Sequence, residues 1–396
     1  MRTSLVRARS RHPVLRMLDH SSPLWRLDWP MLWSVVALGV TGGLLTWSAT
    51  FQRQDVNGAD PHTYLKRHLL NLLIGLLLCA VLSFVDHRRL RGYAPVLYGV
   101  ALLFLATVLT PLASTINGAH SWIELGGGFS LQPSEFTKPA LVVMLAALLA
   151  EARDLRHAEA PGTRQTLAAL ALFAVPAVVI MASHELGTSL VLAAITAGML
   201  FASGVRTRTL AVLAGLAGAV VAAVLGLRLL SAYQINRFAA FADPQLDPGG
   251  VGYNTHQARI AIGAGGLAGQ GLFHGNQTNG GFVPEQQTDF VFTVAGEELG
   301  FLGAGLVIAL VGVVLWRGLL IARRAGDMFT TLLAVGVVCW LAFQSFENIG
   351  MTLGIMPVAG IPLPFVSYGG SSMFAVCGAV GLLQSIRADS RRPRSG

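Results

Sequence analysis

The chain has 396 residues, of which 53% are hydrophobic and only 12% are charged. Ordinary soluble domains carry roughly 25% charged residues, so this sequence has too few charges for a soluble surface, and lipid must cover much of it. The net charge of +8 does not indicate nucleic acid, because the basic residues form short clusters between apolar runs without a basic face of interleaved aromatics. The sequence therefore predicts an integral membrane protein that contacts membrane lipids and binds no nucleic acid.

Ten apolar runs are long enough to cross a bilayer, which takes about 20 residues per helix. They lie at 31–51, 68–85, 93–112, 133–151, 166–183, 187–204, 208–230, 296–321, 328–352 and 366–386. The fourth run is weaker because it opens with Glu135 and Lys138, and the eighth because it carries Glu297 and Glu298. We therefore predict an all-α integral membrane protein of about ten transmembrane helices.

The basic residues between the runs set the predicted orientation. They follow spans two, four, six and eight, as Arg88, Arg89, Arg91, Arg153, Arg156, Arg164, Arg206, Arg208, Arg323 and Arg324. The alternate segments 113–131 and 353–365 contain no Lys or Arg. Because Lys and Arg accumulate in cytoplasmic loops, we expect both termini in the cytoplasm.

Three regions follow from this pattern: a basic tail at 1–30, a transmembrane domain at 31–387 and a second basic tail at 388–396. Within the domain, 231–290 form a long outer loop between spans seven and eight. A loop of this length is usually functional or disordered. Its apolar stretch at 258–272 favours function, because it can form a helix lying on the membrane.

Two polar segments, Asn117–Trp122 and Leu131–Lys138, lie before and at the start of the fourth span. Pro133 suits the first turn of a helix, and an acidic residue near that end is favourable. Glu135 and Lys138 are three residues apart and can pair on one helix face. Charges at a span are costly and indicate function, although a neutralised pair that merely lets the helix enter lipid is the alternative.

A second cluster, Phe282–Phe292, joins the long loop to span eight. Asp289 within it is a carboxylate at the membrane–water boundary, where it can cap a helix. Partial burial would also suit it to act as a general base. The next carboxylates, Glu297 and Glu298, point in different directions on a helix, so we predict a packing or helix-terminus role for them.

A third cluster, Asn348–Met351 with Pro357–Ser372, is dense in Pro and Gly and breaks the helix between spans nine and ten. Such backbone at membrane depth is tolerated where it lines a cavity, and its freed amides and serine hydroxyls can bind a polar or anionic group. The glycine-rich string at 263–269 is not interpreted as a nucleotide site, because no strand precedes it.

With these segments the chain resembles the SEDS family of bacteria, the RodA and FtsW group of peptidoglycan polymerases, from about residue 30 to 387. The resemblance rests on three blocks, NGA-x-x-W with QPSE-x-x-K, then PE-x-x-TDF-x-F-x-x-x-GEELG, then GIPLP-x-x-SYGGSS. The stretch 275–278 followed by 282–285 is more similar to RodA, the elongation member, than to FtsW, the division member. The residues of the first two blocks, NGAHSW and PEQQTDFVF, are similar to those of actinobacterial members of the family.

The chain departs from the family pattern at a few positions. His184-Glu185 stands where the family has Pro-Asp, Asn254 where it has Gln, and Ser121 where it has a basic residue. These departures affect the expected contacts at those positions and not the family resemblance.

The resemblance implies polymerisation of lipid II into glycan strands during cell elongation and shape maintenance. The 4-hydroxyl of one sugar attacks C1 of another, and undecaprenyl pyrophosphate leaves. Asp289 matches the family's essential aspartate and is the expected general base. Glu135 and Lys138 match the family's charged pair, in which Lys138 is expected to act near the pyrophosphate and Glu135 to orient Lys138 or a metal. Arg67 matches a family arginine whose fork of donors suits phosphate. Substrate binding is further expected at Trp122, Gln132, Ser134, Gln257, Glu285, Thr288, Ser367, Tyr368, Ser371 and Ser372.

The resemblance also implies a location and a partner. The protein is expected in the bacterial plasma membrane with its active site facing outside. No transpeptidase motif set occurs in the sequence, so the expected partner is a class B penicillin-binding transpeptidase. No protein-bound metal is predicted, since no ligand cluster calls for one, although a divalent cation (Mg or Mn) bridging the pyrophosphate is chemically reasonable.

Three alternatives stay open at this point. A flippase or transporter of the lipid-linked precursor explains intramembrane charge and broken helices equally well, but it needs polar residues reachable from both faces, whereas these motifs gather on one. A division-specific polymerase of the FtsW type differs from the RodA type at few residues. A non-catalytic scaffold is disfavoured by the combination of Asp289 with Glu135 and Lys138.

Overall fold

The computed structural model describes residues 23–56, 58, 60–116, 119–126, 129–155, 160–226 and 251–390. Residues 231–250 of the predicted outer loop, and most of both predicted tails, lie outside these ranges. The helices described are α1 (Trp29–Val56), α2 (Thr63–Phe84), α3 (Arg88–Ala106), α4 (Pro133–Leu155), α5 (Thr163–Ala182), α6 (Leu186–Ala202), α7 (Thr207–Gly226), α8 (Val251–Ala264), α9 (Asn276–Gly280), α10 (Val291–Glu298), α11 (Gly300–Arg323), α12 (Met328–Leu353) and α13 (Gly370–Ser390). The strands are β1 (Ser114–Ile116), β2 (Ala119–Gly126) and β3 (Phe129–Leu131).

The helical multipass architecture predicted from the sequence is confirmed. In the described part of the chain, eight helices are long and apolar enough to cross a membrane: α1, α2, α3, α4, α5, α11, α12 and α13. The predicted sixth and seventh spans correspond to α6, which has 17 residues, and to α7, whose described apolar part is also shorter. Each predicted apolar run therefore contains a helix; α6 is shorter than a full span, and α7 is described only as far as Gly226.

A small sheet occupies the segment 113–131, which the apolar pattern left as a loop. Its strands pair antiparallel in the order β1-β2-β3, with irregular register in both ladders. The sequence carries the signals for it, since Asn117-Gly118 is a favoured hairpin turn and Gly126 ends β2. The sheet leads directly into Pro133 at the start of α4.

The eighth predicted span begins later than expected, because the helix breaks between α10 and α11. Gly300 begins α11 with a φ of 67°, a left-handed conformation that glycine adopts without strain. A Cβ on Gly300 would lie 2.2 Å from the backbone nitrogen of Gly269. The glycine-rich string at 263–269 thus lets the outer segment pack directly onto the α10–α11 junction.

The core of the bundle lies around α4, α12 and α13, which are the most buried of the spans, while α3 and α5 are among the least. α13 packs chiefly on α2, α12 packs on α4, α6 and α11, and α3 packs on α4. The outer helices therefore present apolar faces outward, as lipid contact requires.

One end of the bundle is tied together by Asp28, directly before α1. Its carboxylate is 2% exposed and accepts hydrogen bonds from Arg317 Nε at 2.8 Å and Nη2 at 2.6 Å. Arg387 lies 3.6 Å away, and the Asp28 N–H donates to Gln384 Oε1 at 2.7 Å. The start of α1 and the ends of α11 and α13 thus lie at the same end of the bundle. The start of α13 therefore lies at the opposite end.

Candidate active site

A cavity of about 350 Å³ lies where α4, α6 and α13 begin. Its volume falls within the roughly 300–1,000 Å³ usual for small-molecule sites. The predicted site residues that line it are Trp122, Gln132, Glu285, Thr288, Asp289, Tyr368, Ser371 and Ser372. The fold therefore brings the three separate polar clusters of the sequence to one cavity.

The turn 285–289 forms one wall and is hydrogen-bonded to the segment before α13. The Ser367 hydroxyl donates to the Thr288 carbonyl at 2.5 Å, and the Tyr368 N–H donates to the Gln287 carbonyl at 2.9 Å. Ser367 is buried and is not among the lining residues. Its place in the structure is to join the two loops that form the wall.

Asp289 presents its side chain at this wall and is partly buried. The Asn348 side chain, fully buried on α12, donates to the Asp289 carbonyl at 2.8 Å and to the Ile361 carbonyl at 2.8 Å. The backbone of Asp289 is thus fixed from behind, at a position where this acidic residue lines the cavity. Such a carboxylate can accept a proton from a bound hydroxyl.

A second wall is built around Glu185, directly before α6. The Gln132 side-chain amide donates to Glu185 Oε1 at 2.8 Å, and the Ser134 hydroxyl donates to Glu185 Oε2 at 2.8 Å. Gln132 and Glu185 line the cavity, while Ser134 is buried behind them. The carboxylate therefore links the starts of α4 and α6.

The serines at the start of α13 link this wall to the sheet. The Gln132 N–H donates to Ser371 Oγ at 3.0 Å, and the Ser371 hydroxyl contacts the Ser130 carbonyl at 3.3 Å. Trp122, on β2, and Ser372 line the cavity beside them. The sheet thus closes the side of the cavity that the helices leave open.

Tyr368 and Tyr64 form the edge nearest α2, with ring centroids 5.1 Å apart in an edge-to-face arrangement. Burial raises the pKa of Tyr368 above its ordinary value, and a hydrogen bond from Arg67 acts in the opposite direction. Arg67 is only partly buried and contacts the edge through Tyr368. Its guanidinium is therefore beside the cavity without lining it.

Glu135 and Lys138 lie behind the wall and do not line the cavity. They are 1% and 0% exposed, and Lys138 Nζ is 2.6 Å from Glu135 Oε1. Lys138 also donates to Gln344 Oε1 at 2.9 Å and lies 5.3 Å from the Trp340 ring centroid. The predicted ion pair is formed, but Lys138 makes its contacts with buried residues of the protein interior.

Gln257 is the predicted site residue least connected to the cavity. It lies on α8, partly exposed, and is not a lining residue. A role for it in substrate binding stays a prediction.

Glu297 and Glu298 make contacts of the kind expected for a packing or helix-terminus role. Glu297 is fully buried and accepts hydrogen bonds from the N–H groups of Gln277 at 2.7 Å and Thr278 at 2.9 Å, at the start of α9. Glu298 accepts from the Ser48 hydroxyl at 2.6 Å. The two carboxylates thus bind the outer segment and α1 to α10.

The charged residues that line the cavity are mainly acidic. Glu185, Glu285 and Asp289 line it, together with His184, and no described Lys or Arg does. Within the described ranges, no group of three or more His, Cys, Asp or Glu side chains is placed to hold a metal ion. The described residues therefore do not fit a preformed divalent cation site.

Sequence reasoning missed several lining residues, above all Tyr64, Gln287 and Glu185 as a site residue. The signal for Glu185 was its position as a carboxylate between two apolar runs. His184 beside it lines the cavity with a φ of 66°, and non-glycine residues in that conformation concentrate at functional sites.

Comparison with known proteins identifies the family of the chain. The family model for FtsW, RodA and SpoVE, described as "Cell cycle protein", matches residues 29–392. Peptidoglycan glycosyltransferase MrdB of Escherichia coli (strain K12) is 37% identical over 360 residues, covering 91% of this chain and 93% of that protein. The probable peptidoglycan glycosyltransferase FtsW of Trichlorobacter lovleyi is 36% identical over 376 residues, covering 95% and 97%.

A solved structure is similar over nearly the same extent. It is described as "Structural coordination of polymerization and crosslinking by a peptidoglycan synthase complex" and superposes with a TM-score of 0.74 at 33% identity. The match covers 93% of this chain and 99% of that one.

Proposed function

Since the chain belongs to the FtsW, RodA and SpoVE family of integral membrane proteins, we propose that it is a peptidoglycan glycosyltransferase that polymerises lipid II into glycan strands. The observation that carries the proposal is that Asp289 lines a cavity together with residues that bear hydroxyl, amide and carboxylate groups. Such groups suit a polyhydroxylated sugar, because each can donate or accept hydrogen bonds.

The proposed reaction needs one base and one leaving group. The 4-hydroxyl of the acceptor sugar attacks C1 of the donor sugar and gives its proton to Asp289. The bond from C1 to undecaprenyl pyrophosphate breaks, and the pyrophosphate leaves with the electron pair. General-base assistance of this kind supplies about 10²- to 10⁴-fold, and a pyrophosphate leaves well enough that a second carboxylic acid is less necessary.

The acidic lining supports separate binding positions for the sugars and for the pyrophosphate. The sugars occupy the cavity, where their hydroxyl groups can pair with its polar lining, while a pyrophosphate is repelled by the negative charge of Glu185, Glu285 and Asp289. Arg67 at the Tyr368 edge is the nearest candidate to hold the leaving group, because a guanidinium binds phosphate oxygens through two parallel donors.

The proposal also includes the orientation of the protein in the membrane, its role in the cell and its partner. The arginine pattern of the loops supports an orientation with both termini in the cytoplasm and the cavity outside. The proposed role in elongation rests on the RodA-like stretches at 275–278 and 282–285. Overall identity does not decide the role, since the chain is 37% identical to MrdB and 36% identical to FtsW. A class B penicillin-binding transpeptidase as partner is supported by the similar structure, whose description joins polymerisation with crosslinking.

The test is polymerisation of lipid II by purified protein, alone and with the transpeptidase. Wild type is expected to form glycan polymer, and Asp289→Asn is expected to lose it while retaining the gel-filtration profile of the wild type. Asp60→Asn is the matched control, because Asp60 lies between α1 and α2 and, among the described residues, pairs with Lys66 and its own neighbours. Polymer from Asp289→Asn would remove the base assignment, and no polymer from wild type with the partner would favour the flippase.

A further inference from the structure

Glu185 stands at the N-terminal cap position of α6 but makes no capping hydrogen bond with its side chain. Its carboxylate is 8% exposed and instead reaches the start of α4, where it accepts one bond from Gln132 and one from Ser134. An acidic residue at a helix start normally bonds to the free N–H groups there. The carboxylate is therefore directed to a different task at the cavity wall.

The contact with Glu185 determines which way the Gln132 amide faces. An ionised carboxylate only accepts hydrogen bonds, so Gln132 must turn its NH₂ group toward Glu185 Oε1, 2.8 Å away. Among the described residues, the side-chain carbonyl oxygen of Gln132, Oε1, has no protein hydrogen bond, while the backbone carbonyl accepts from the Glu135 N–H. Gln132 also lines the cavity. The amide thus presents an acceptor, and not a donor, to whatever binds there.

The backbone of Gln132 is fixed as well, through its N–H and Ser371 Oγ at 3.0 Å. With backbone and side chain both held, the acceptor has one defined position. We propose that Glu185 is a positioning residue that holds the Gln132 carbonyl oxygen toward a hydrogen-bond donor of the substrate, a sugar hydroxyl or an acetamido N–H. This inference rests on the proposed function, because it assigns the donor to lipid II.

The proposal separates Glu185 from Asp289, although both are carboxylates at one cavity. Glu185 has both oxygens engaged by protein donors, so its effect on substrate passes through Gln132. Losing such a contact weakens ground-state and transition-state binding equally and raises KM more than it lowers kcat.

The experiment is a double-mutant cycle on the full chain with lipid II as substrate. Glu185→Ala and Gln132→Ala are each expected to raise KM about 2- to 12-fold, the equivalent of one hydrogen bond. The double variant is expected to be no worse than Gln132→Ala, because Glu185 then has no amide left to hold. Additive losses in the double variant, or an unchanged KM in Glu185→Ala, would overturn the proposal.

Two further variants separate positioning from folding. Glu185→Gln is expected to keep KM near that of wild type, because its carboxamide oxygen can still accept from Gln132 while its NH₂ donates to Ser134. If Glu185→Ala does not fold, Glu185→Met replaces it in the cycle, since it fills the volume without an acceptor. Glu151→Ala, at the exposed far end of α4, is the matched control.

The outcomes distinguish the two proposals. No polymer from wild type, with or without the transpeptidase, refutes the proposed function and the substrate assignment with it. Polymer from wild type together with additive losses refutes the positioning role alone.

Discussion

The side-chain amide of Asn348 donates a 2.8 Å hydrogen bond to the backbone carbonyl of Asp289. The same amide donates to the Ile361 carbonyl at 2.8 Å, so one fully buried side chain of α12 holds two loops that meet at the cavity. The position of the proposed base thus depends on a residue that does not itself line the cavity.

Asn348→Ala is therefore expected to lower the polymerisation rate about 10- to 100-fold, the cost of a small displacement of a catalytic group. It leaves two carbonyl oxygens without their partner, which costs about 1–3 kcal/mol, so a lower Tm accompanies the loss. Initial rates with lipid II and thermal unfolding in detergent measure the two effects. Asn276→Ala, an exposed position on α9, is the control, and full activity in Asn348→Ala would contradict the assignment.

Lys138→Met tests whether the buried ion pair is structural or catalytic. Removing Lys138 leaves the Glu135 charge buried, and breaking such a pair costs about 3–5 kcal/mol, so a large fall in Tm is expected. Adding Glu135→Gln is expected to restore most of the stability, because no uncompensated charge remains. Lys66→Met, which removes an exposed partner of Asp60, is expected to leave Tm unchanged.

The activity of the stabilised double variant then decides between the two roles. Partial activity is expected, since Lys138 contacts Glu135, Gln344 and Trp340, none of which lines the cavity. A folded double variant that forms no polymer would restore the direct catalytic role implied by the family resemblance.

Because of His87, which lies between α2 and α3, we expect the folded protein to lose stability in mild acid. Burial lowers its pKa below the ordinary 6.5, against the opposing effect of nearby acidic side chains such as Asp389. Above pH 6.5 the imidazole is neutral in both states and contributes nothing to the pH dependence. Below it the unfolded chain takes up the proton more readily, so stability falls until the folded pKa is passed.

Thermal unfolding from pH 8 to pH 5 measures this effect. His87→Gln, which can keep the contact with Ser385, is expected to show a smaller fall in Tm below pH 6.5 than wild type. His256→Gln replaces an exposed histidine and should behave as wild type does. Identical acid profiles for wild type and His87→Gln would show that this histidine is not responsible.

Cysteine labelling tests the orientation. In intact cells an impermeant maleimide is expected to label Asn276→Cys, on the exposed outer segment, and to label Arg324→Cys only after lysis. The native Cys79 and Cys377 are buried and Cys339 is partly buried, so the background is low. Labelling of Arg324→Cys in intact cells, and of Asn276→Cys only after lysis, would show that the topology is the opposite of the one proposed.

Much of the fold was predictable because the membrane imposes it. Each apolar run contains a helix, since backbone groups in lipid must pair within their own segment. The sheet at 114–131 and the break before Gly300 were not predicted from apolar length, because both depend on turn residues and close backbone contact. Turn chemistry at Asn117-Gly118 indicates the first, but the second needs Gly269 in place.

The sequence by itself determined the membrane class, the order of the spans and the polar clusters that contain Gln132, Asp289 and Tyr368. Tertiary structure alone decided which of these side chains face the cavity. Glu135 and Lys138 are three residues apart and pair as expected, yet they lie behind the wall, whereas Glu185 comes from another helix and lines it. The physical reason is that helical spacing fixes which residues share a face, while the packing of α4 against α6 and α12 fixes what that face meets.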